Sequence, residues 1–422
     1  MPEGSPVPRE EYADLHEKAP LQVAAILPLE RLRRATSPWR VAIVHDWLVT
    51  NGGAEKVLEA LLRAFPQADI FTLVDTLADR QRQWLNGHRI TTSFLQRVPF
   101  AKKRYRHFLP FMPFAIEQFD VSDYDLVLSS SHAVAKGVIT HPQQTHICYC
   151  HTPIRYAWDM KERYLKDAAL KPPLSWLARH VLSRLRQWDY FSASQVDHFW
   201  ANSANVAGRI KKYYRRDAKV LHPPVAVRRL ECNPGPRDDF YLAASRLVPY
   251  KRLDLIVETF LALPDRRLVI IGDGPERERL AKMAQGAANI EVLGYCEDEV
   301  LQDYLSRARG FIFAANEDFG ILPLEAQACG TPVIAFGQGG ARETVRSASH
   351  PDDENATGVF FEHHTPQSLN DAILRFEMRQ FSPQACRRNA ERFSEEMFWE
   401  RLHMLLGEAK LLESAERLRE PS

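Results

Sequence analysis

The sequence predicts an α/β protein made of two doubly wound halves that face each other across a cleft. Three observations carry this reading. Short apolar runs alternate with amphipathic helical stretches through most of the chain, the pattern of parallel strands joined by crossover helices. The alternation stops at two proline clusters, His222-Pro-Pro-Val225 and Asn233-Pro-Gly-Pro-Arg237, and then restarts, as expected of a linker between domains. Late in the second half, Gly310 to Phe336 reads as strand, glycine turn, helix and strand. In a parallel sheet such a turn lies at the carboxyl edge, where ligands bind.

In chain order, residues 1–38 read as an extension outside the fold. They begin with the acidic, proline-rich Met1-Pro-Glu-Gly-Ser-Pro-Val-Pro, unlike the basic start of a signal peptide, and contain a short amphipathic pattern from Leu21 to Leu32. The first half, 39–222, opens with the strand Trp39-Arg-Val-Ala-Ile-Val44. The turn His45-Asp-Trp-Leu-Val-Thr-Asn-Gly-Gly53 and a helix from Ala54 to Phe65 follow. Its further strands are Ala68–Val74, Tyr124–Ser129, Thr145–Tyr149 and Val196–Trp200. Residues 223–237 form the linker. The second half, 238–396, carries strands at Phe240–Ala244, Arg267–Ile271, Ile290–Leu293, Phe311–Phe313 and Pro332–Ala335, with a helix from Arg252 to Leu263. A last helical pattern, from Met397 to about Leu418, is expected to cross back to the first half.

Composition narrows the function. In 422 residues, Lys and Arg number 55 against 54 Asp and Glu, so the chain lacks the basic footprint of a nucleic-acid binder. Six scattered cysteines show no disulfide framework and fit a reducing cytoplasm. Cys148-Tyr-Cys150-His151 has no second cluster to complete a zinc site. No run approaches the length of a membrane span. Between Arg97 and Phe111, bases interleave with aromatics. That composition suits peripheral contact with an anionic bilayer at the inner membrane face, and equally a solvated basic helix with its aromatic face in the core.

The most informative segment is Glu317-Asp-Phe-Gly-Ile-Leu-Pro-Leu-Glu325, two carboxylates separated by seven residues. Pro323 suits the first helical position, where its missing N–H would have no partner, and Gly330 the helix end. The N–H groups of Phe319, Gly320, Ile321 and Leu322 would then point out of a helix N-terminus, a ready anion site flanked by acceptors for sugar hydroxyls. Arg246 and Lys251, after the first strand of the second half, are cations at a helix start, where the macrodipole disfavours them. They suit a departing diphosphate. Gly52 and Gly53 offer backbone donors from the facing half, and His151, just past a strand end, should lie at the cleft edge. Asp123-Tyr-Asp125 matches an acidic metal-binding triplet but directly precedes a strand and reads as its entry turn, and Gly272-Asp-Gly274 is a lone glycine turn.

Together these residues resemble glycosyltransferase family 4, retaining enzymes of the GT-B fold with two Rossmann-like domains. The resemblance covers about residues 39 to 418. The opening Val41 to Glu55 and the Cys150-His-Thr-Pro-Ile-Arg-Tyr-Ala-Trp-Asp159 block are similar to a bacterial branch that includes mannosyltransferases of O-antigen and exopolysaccharide assembly. The resemblance implies a hexose donor, GDP-mannose first and a UDP-hexose second, and a glycan or lipid-linked acceptor. It implies that Glu325 binds the ribose, Glu317 a donor-sugar hydroxyl, and Arg246 and Lys251 the diphosphate. Gly53 would approach that diphosphate, His151 would contact the sugar near the reacting carbon, and backbone around Tyr295 would receive the base. Neither a metal nor another cofactor is implied. Two other readings remain open: a nucleotide-sugar epimerase on the same fold, and a non-catalytic subunit that keeps the fold as a binding platform.

Overall fold

The computed structural model describes residues 20–85, 87–99, 104–167, 171–348, 353–409 and 411, with side chains from Pro28 onward except at 163 and 167. Two all-parallel sheets organise the chain. The first has strands β1 (Val41–His45), β2 (Asp69–Thr72), β3 (Ile90–Thr92), β4 (Leu126–Ser131), β5 (Thr145–Cys150), β6 (His198–Ala201) and β7 (Ala218–Val220), in the order β3-β2-β1-β4-β5-β6-β7. The second has β8 (Phe240–Ala244), β9 (Arg267–Ile271), β10 (Ile290–Gly294), β11 (Gly310–Phe313), β12 (Val333–Phe336) and β13 (Gly358–Phe361), in the order β10-β9-β8-β11-β12-β13.

Both faces of each sheet are covered, which is why the strands read as unbroken apolar runs. In β1, Val41 and Ile43 enter one core while Ala42 and Val44 enter the core on the opposite face. In β8, Phe240 and Leu242 face one side and Tyr241 and Ala243 the other. The strands that the sequence pattern left unread are β3, β7 and β13. All three are short and terminal in their sheets, and β3 and β7 lack a fully buried residue to mark them.

Strand order reverses between β1 and β4 and again between β8 and β11. Loops leaving the carboxyl ends of such strands diverge and leave a crevice. The loops after β1, β8 and β11 are those that carry Gly52–Gly53, Arg246–Lys251 and Glu317–Glu325. The topology therefore assembles the candidate residues from three distant parts of the sequence.

The expectation that residues 1–38 lie outside the fold is corrected for their second half. Helix α1 (Pro20–Thr36) places Leu29 and Leu32 in the same core as Val57 and Leu61 of helix α2 (Gly53–Ala64). The Thr36 hydroxyl and the Arg33 guanidinium bond carbonyls at the end of α2. A short pattern with Pro28 inside it gave little sign of this, because its burial depends on a partner from the other end of the chain. That partner is the helix Glu395–Glu408, whose Phe398, Trp399, Leu402, Leu405 and Leu406 fill the same core. Residues beyond 411, where the sequence extends this last helix, lie outside the described ones. The chain passes between the sheets twice, side by side: Val225 bridges Ser394, and its N–H donates to the Phe393 carbonyl at 2.9 Å.

Candidate active site

The loop that opens the second sheet's crevice is shaped by close backbone approaches. Gly272 and Gly274 have φ of 142° and 153°, and a Cβ on either would strike the carbonyls of Ser245 or Leu247 at 1.8 and 2.5 Å. This glycine turn, unassigned by the sequence, is thus what lets the Arg246–Lys251 loop fold down beside β9. Lys251 ends a short 3-10 turn (Pro249–Lys251), and its ammonium contacts the Glu317 carboxylate from the loop after β11. Burial and the Arg246 guanidinium push the Lys251 ammonium down to about 7, while contact with Glu317 works the other way. Arg246 stays exposed, its guanidinium 3.2 Å from the Tyr250 hydroxyl.

The Glu317 loop rests on a second glycine pair that the sequence reading missed. Gly339 has φ of 68°, and a Cβ there would lie 2.3 Å from the Glu317 carbonyl oxygen and 2.6 Å from Asn316 Oδ1. The Gly340 N–H donates to that same carbonyl at 2.8 Å. A signal existed in Gly339-Gly340, but only tertiary contact shows what the pair is for.

Gly320, with φ of 94°, turns the chain into the helix Ile321–Ala328. The helix therefore opens at Ile321 and Pro323 is its third residue, not its first; an N–H there is unpartnered all the same. Phe319 contributes only backbone to the crevice. Its ring is buried, stacked on His222 at 5.4 Å and edge-on to Phe393. Ile321 and Leu322 are half-buried. Glu325, one turn into the helix, accepts from the Lys56 ammonium at 2.8 Å, across the cleft from α2. Gly52 precedes α2, and its N–H donates to Glu55 Oε2 at 2.9 Å. A Cβ on Gly53 would lie 3.3 Å from Ile321 Cδ1. Two helix N-termini, one from each half, therefore meet where the cleft narrows, and both favour negative charge. Tyr295, just past β10, is exposed, with its hydroxyl 3.2 Å from Glu297.

On the first half's side, His151 follows β5 and is buried, its Nε2 2.9 Å from Ser130 Oγ. Burial, with His132 and His45 nearby, holds its pKa well below 6.5, so the ring is neutral. Asp46, overlooked by the sequence reading, is fully buried and accepts the N–H groups of His132, Ala133, Val134 and Ala135 at 2.6–2.9 Å. Through these four bonds it fixes the loop after β4. Asp125 lies at the opposite edge of the sheet, bonded to the Arg40 N–H at 2.8 Å. Cys148 and Cys150 pack in the core.

Two further carboxylates reach across the cleft. Asp318 pairs with the Arg209 guanidinium and lies 3.8 Å from that of Arg155. Glu343 accepts the N–H groups of Ala204 and Asn205, at the start of the helix Ala204–Tyr214, at 2.8 and 3.0 Å. His222 Nε2 reaches the same carboxylate at 3.2 Å. Neither of these two acceptors stood out in the sequence pattern beyond its position near a turn.

Comparison with known proteins identifies the family. Residues 51–229 match the family model described as Glycosyltransferase Family 4, and residues 233–393 the model described as Glycosyl transferases group 1. The chain belongs to glycosyltransferase family 4 and has the GT-B fold. Among family relatives, a GDP-mannose-dependent monoacylated alpha-(1-6)-phosphatidylinositol monomannoside mannosyltransferase of Corynebacterium glutamicum is 38% identical over 143 residues, 31% of this chain and 35% of that protein. A D-inositol 3-phosphate glycosyltransferase of Geodermatophilus obscurus is 30% identical over 241 residues, 49% of this chain and 51% of that one. The chain thus matches only about a third to half of the length of these curated relatives. Among solved structures, HepE of Anabaena in complex with UDP superposes with a TM-score of 0.62 at 17% identity, over 87% of this chain and 100% of the other. Sucrose-phosphate synthase from Thermosynechococcus elongatus gives 0.65 at 15% identity, over 88% and 99%.

Proposed function

We propose that this family 4 member is a retaining glycosyltransferase that moves a hexose, mannose from GDP-mannose in the first instance, to a saccharide or lipid-linked acceptor. The observation that carries the reading is the convergence of Lys251, Arg246, Glu317, Glu325 and two helix N-termini on one crevice between the sheets' carboxyl edges. A nucleoside diphosphate sugar matches it group by group. The helix N-termini and the two cations take the diphosphate, Glu325 the ribose and Glu317 a sugar hydroxyl. Cations held beside the departing oxygen stabilise the transition state more than the ground state. In the reaction the C1–O bond to the diphosphate breaks, and the acceptor hydroxyl oxygen bonds C1 on the same face. The acceptor's proton passes to the departing diphosphate oxygen. Positive charge for this step comes from the protein, and the reading assigns no metal to it.

The choice of mannose rests on the activity of the Corynebacterium relative and on the sequence branch. Lys56 occupies one oxygen of Glu325, which leaves the other to accept from a ribose hydroxyl. Membrane contact through residues 97–111 is part of the same proposal. Phe111 is exposed near Arg104 and Arg106, while Tyr105 and Phe108 pack on the core, and residues 100–103 lie outside the described ones. Among the described residues no helix is long and apolar enough to cross a membrane.

Calorimetric titration with GDP, UDP, GDP-mannose and UDP-glucose, with and without EDTA, tests the reading. Selective, EDTA-insensitive binding of the guanosine series is expected. Selective binding of the uridine series would move the donor to a UDP-hexose, and silence across the panel would favour a binding subunit.

A further inference from the structure

His151 sits at the end of a buried polar row that the first sheet's register creates. In β1 and β4, His45 and Ser130 are direct partners, and His151 follows β5, whose Tyr149 pairs with Ser130. His45 Nδ1 lies 3.1 Å from Ser130 Oγ, and Ser130 Oγ lies 2.9 Å from His151 Nε2. At the far end, Glu55 Oε1 stands 3.9 Å from His45 Nε2, while its Oε2 holds the Gly52 N–H. Glu55, His45, Ser130 and His151 are at most 9% exposed.

Burial alone would raise the Glu55 carboxyl, but the His45 ring and the backbone donors facing it hold it below its usual value. An anionic Glu55 then sets the polarity of the row. Its charge favours the His45 tautomer with hydrogen on Nε2, which leaves Nδ1 to accept. The Ser130 hydroxyl has one hydrogen, which it donates to His45 Nδ1, and its oxygen accepts from His151 Nε2–H. The His151 Nδ1 is left with a lone pair, and it is the ring nitrogen not used within the row.

We propose that Ser130 and His45 are positioning residues that fix His151 in its Nε2–H tautomer, so that Nδ1 accepts a hydroxyl of the donor sugar. This rests on the glycosyltransferase reading above. In this tautomer His151 cannot donate to the leaving diphosphate through Nδ1. Glu55, which holds the Gly52 N–H, acts on the row only through its charge, since 3.9 Å to His45 Nε2 is beyond hydrogen-bond distance. The row also explains polar Ser129-Ser130-Ser131 in a fully buried strand: Ser129 bonds His146 at 2.8 Å and Ser131 accepts the Lys136 N–H at 3.4 Å, which leaves Ser130 for the row.

The test joins steady-state transfer kinetics to histidine 15N NMR on the full chain. Ser130→Ala should lower kcat about five-fold, the factor that one hydrogen bond of ordinary net strength commands, with little change in donor KM. Ser130→Thr, which restores a hydroxyl, should recover most of it. In the wild-type protein the His151 Nδ1 shift should be pyridine-like and Nε2 pyrrole-like. A pyrrole-like Nδ1, or Ser130→Ala turnover equal to wild type in a protein whose His151→Ala variant is impaired, overturns the proposal. Failure of the wild type to bind any nucleotide would instead sink the functional reading. The tautomer would still be read by NMR, including if Ser130→Ala did not fold.

Discussion

Gly339 offers a direct test of how the second half holds Glu317. Replacing it with alanine introduces two separate effects. The first is conformational: at φ of 68° a side chain is disfavoured by about 1–2 kcal/mol. The second is steric: the new Cβ would stand 2.3 Å from the Glu317 carbonyl oxygen and 2.6 Å from Asn316 Oδ1, well inside contact distance. Backbone cannot yield as a flexible side-chain tip can, so the Glu317 segment must shift by on the order of 1 Å to reach ordinary contact. Misplacement of that size at a reacting centre costs about a hundred-fold in rate. Gly286→Ala separates the two effects. Gly286 has a similar φ of 86°, but a Cβ there meets nothing within 4 Å. It should lose about 1 kcal/mol, or about 2–4 °C in Tm for a domain of this size, with transfer unchanged. Gly339→Ala should show at least that loss of Tm and, in addition, the fall in kcat, measured by thermal melts and transfer assays side by side. Wild-type turnover in Gly339→Ala would refute the view that this glycine positions Glu317.

If Lys251 holds the diphosphate as proposed, its ammonium, pushed down to about 7, should make nucleotide binding pH-dependent. Below that value the site is already charged. Above it a bound diphosphate draws a proton back, so affinity should fall from pH 6 to pH 8.5, with proton uptake visible by calorimetry in buffers of different ionisation enthalpy. Lys251→Arg should flatten that profile, and Lys251→Ala should mainly lower turnover. Glu325→Ala should weaken GDP binding about ten- to a hundred-fold through loss of charged hydrogen bonds to the ribose, measured by the same titration. The buried Asp189 carboxylate accepts from Lys136, Trp158 Nε1 and Tyr214 OH, the last two at 2.7 and 2.9 Å. Asp189→Ala would strand a buried ammonium and should cost about 3–5 kcal/mol in denaturant unfolding.

By itself the sequence determined the two doubly wound halves and pointed to the segments that line the candidate site. Buried parallel strands must be apolar on both faces, and the turn after β11 needs Gly320 for its φ of 94° whatever surrounds it. Those are local demands, written where they act. Tertiary structure decided the rest. Leu29 and Leu32 became core only because a helix from the other end of the chain reaches them. Gly272, Gly274, Gly339 and Gly340 matter because another loop's backbone lies against them. Asp46 and Ser130 look like ordinary polar residues until strand register aligns them with four N–H groups and two histidines. The Lys56–Glu325 pair joins residues far apart in the chain, and no periodicity records such a contact, because it arises from how two rigid sheets face each other.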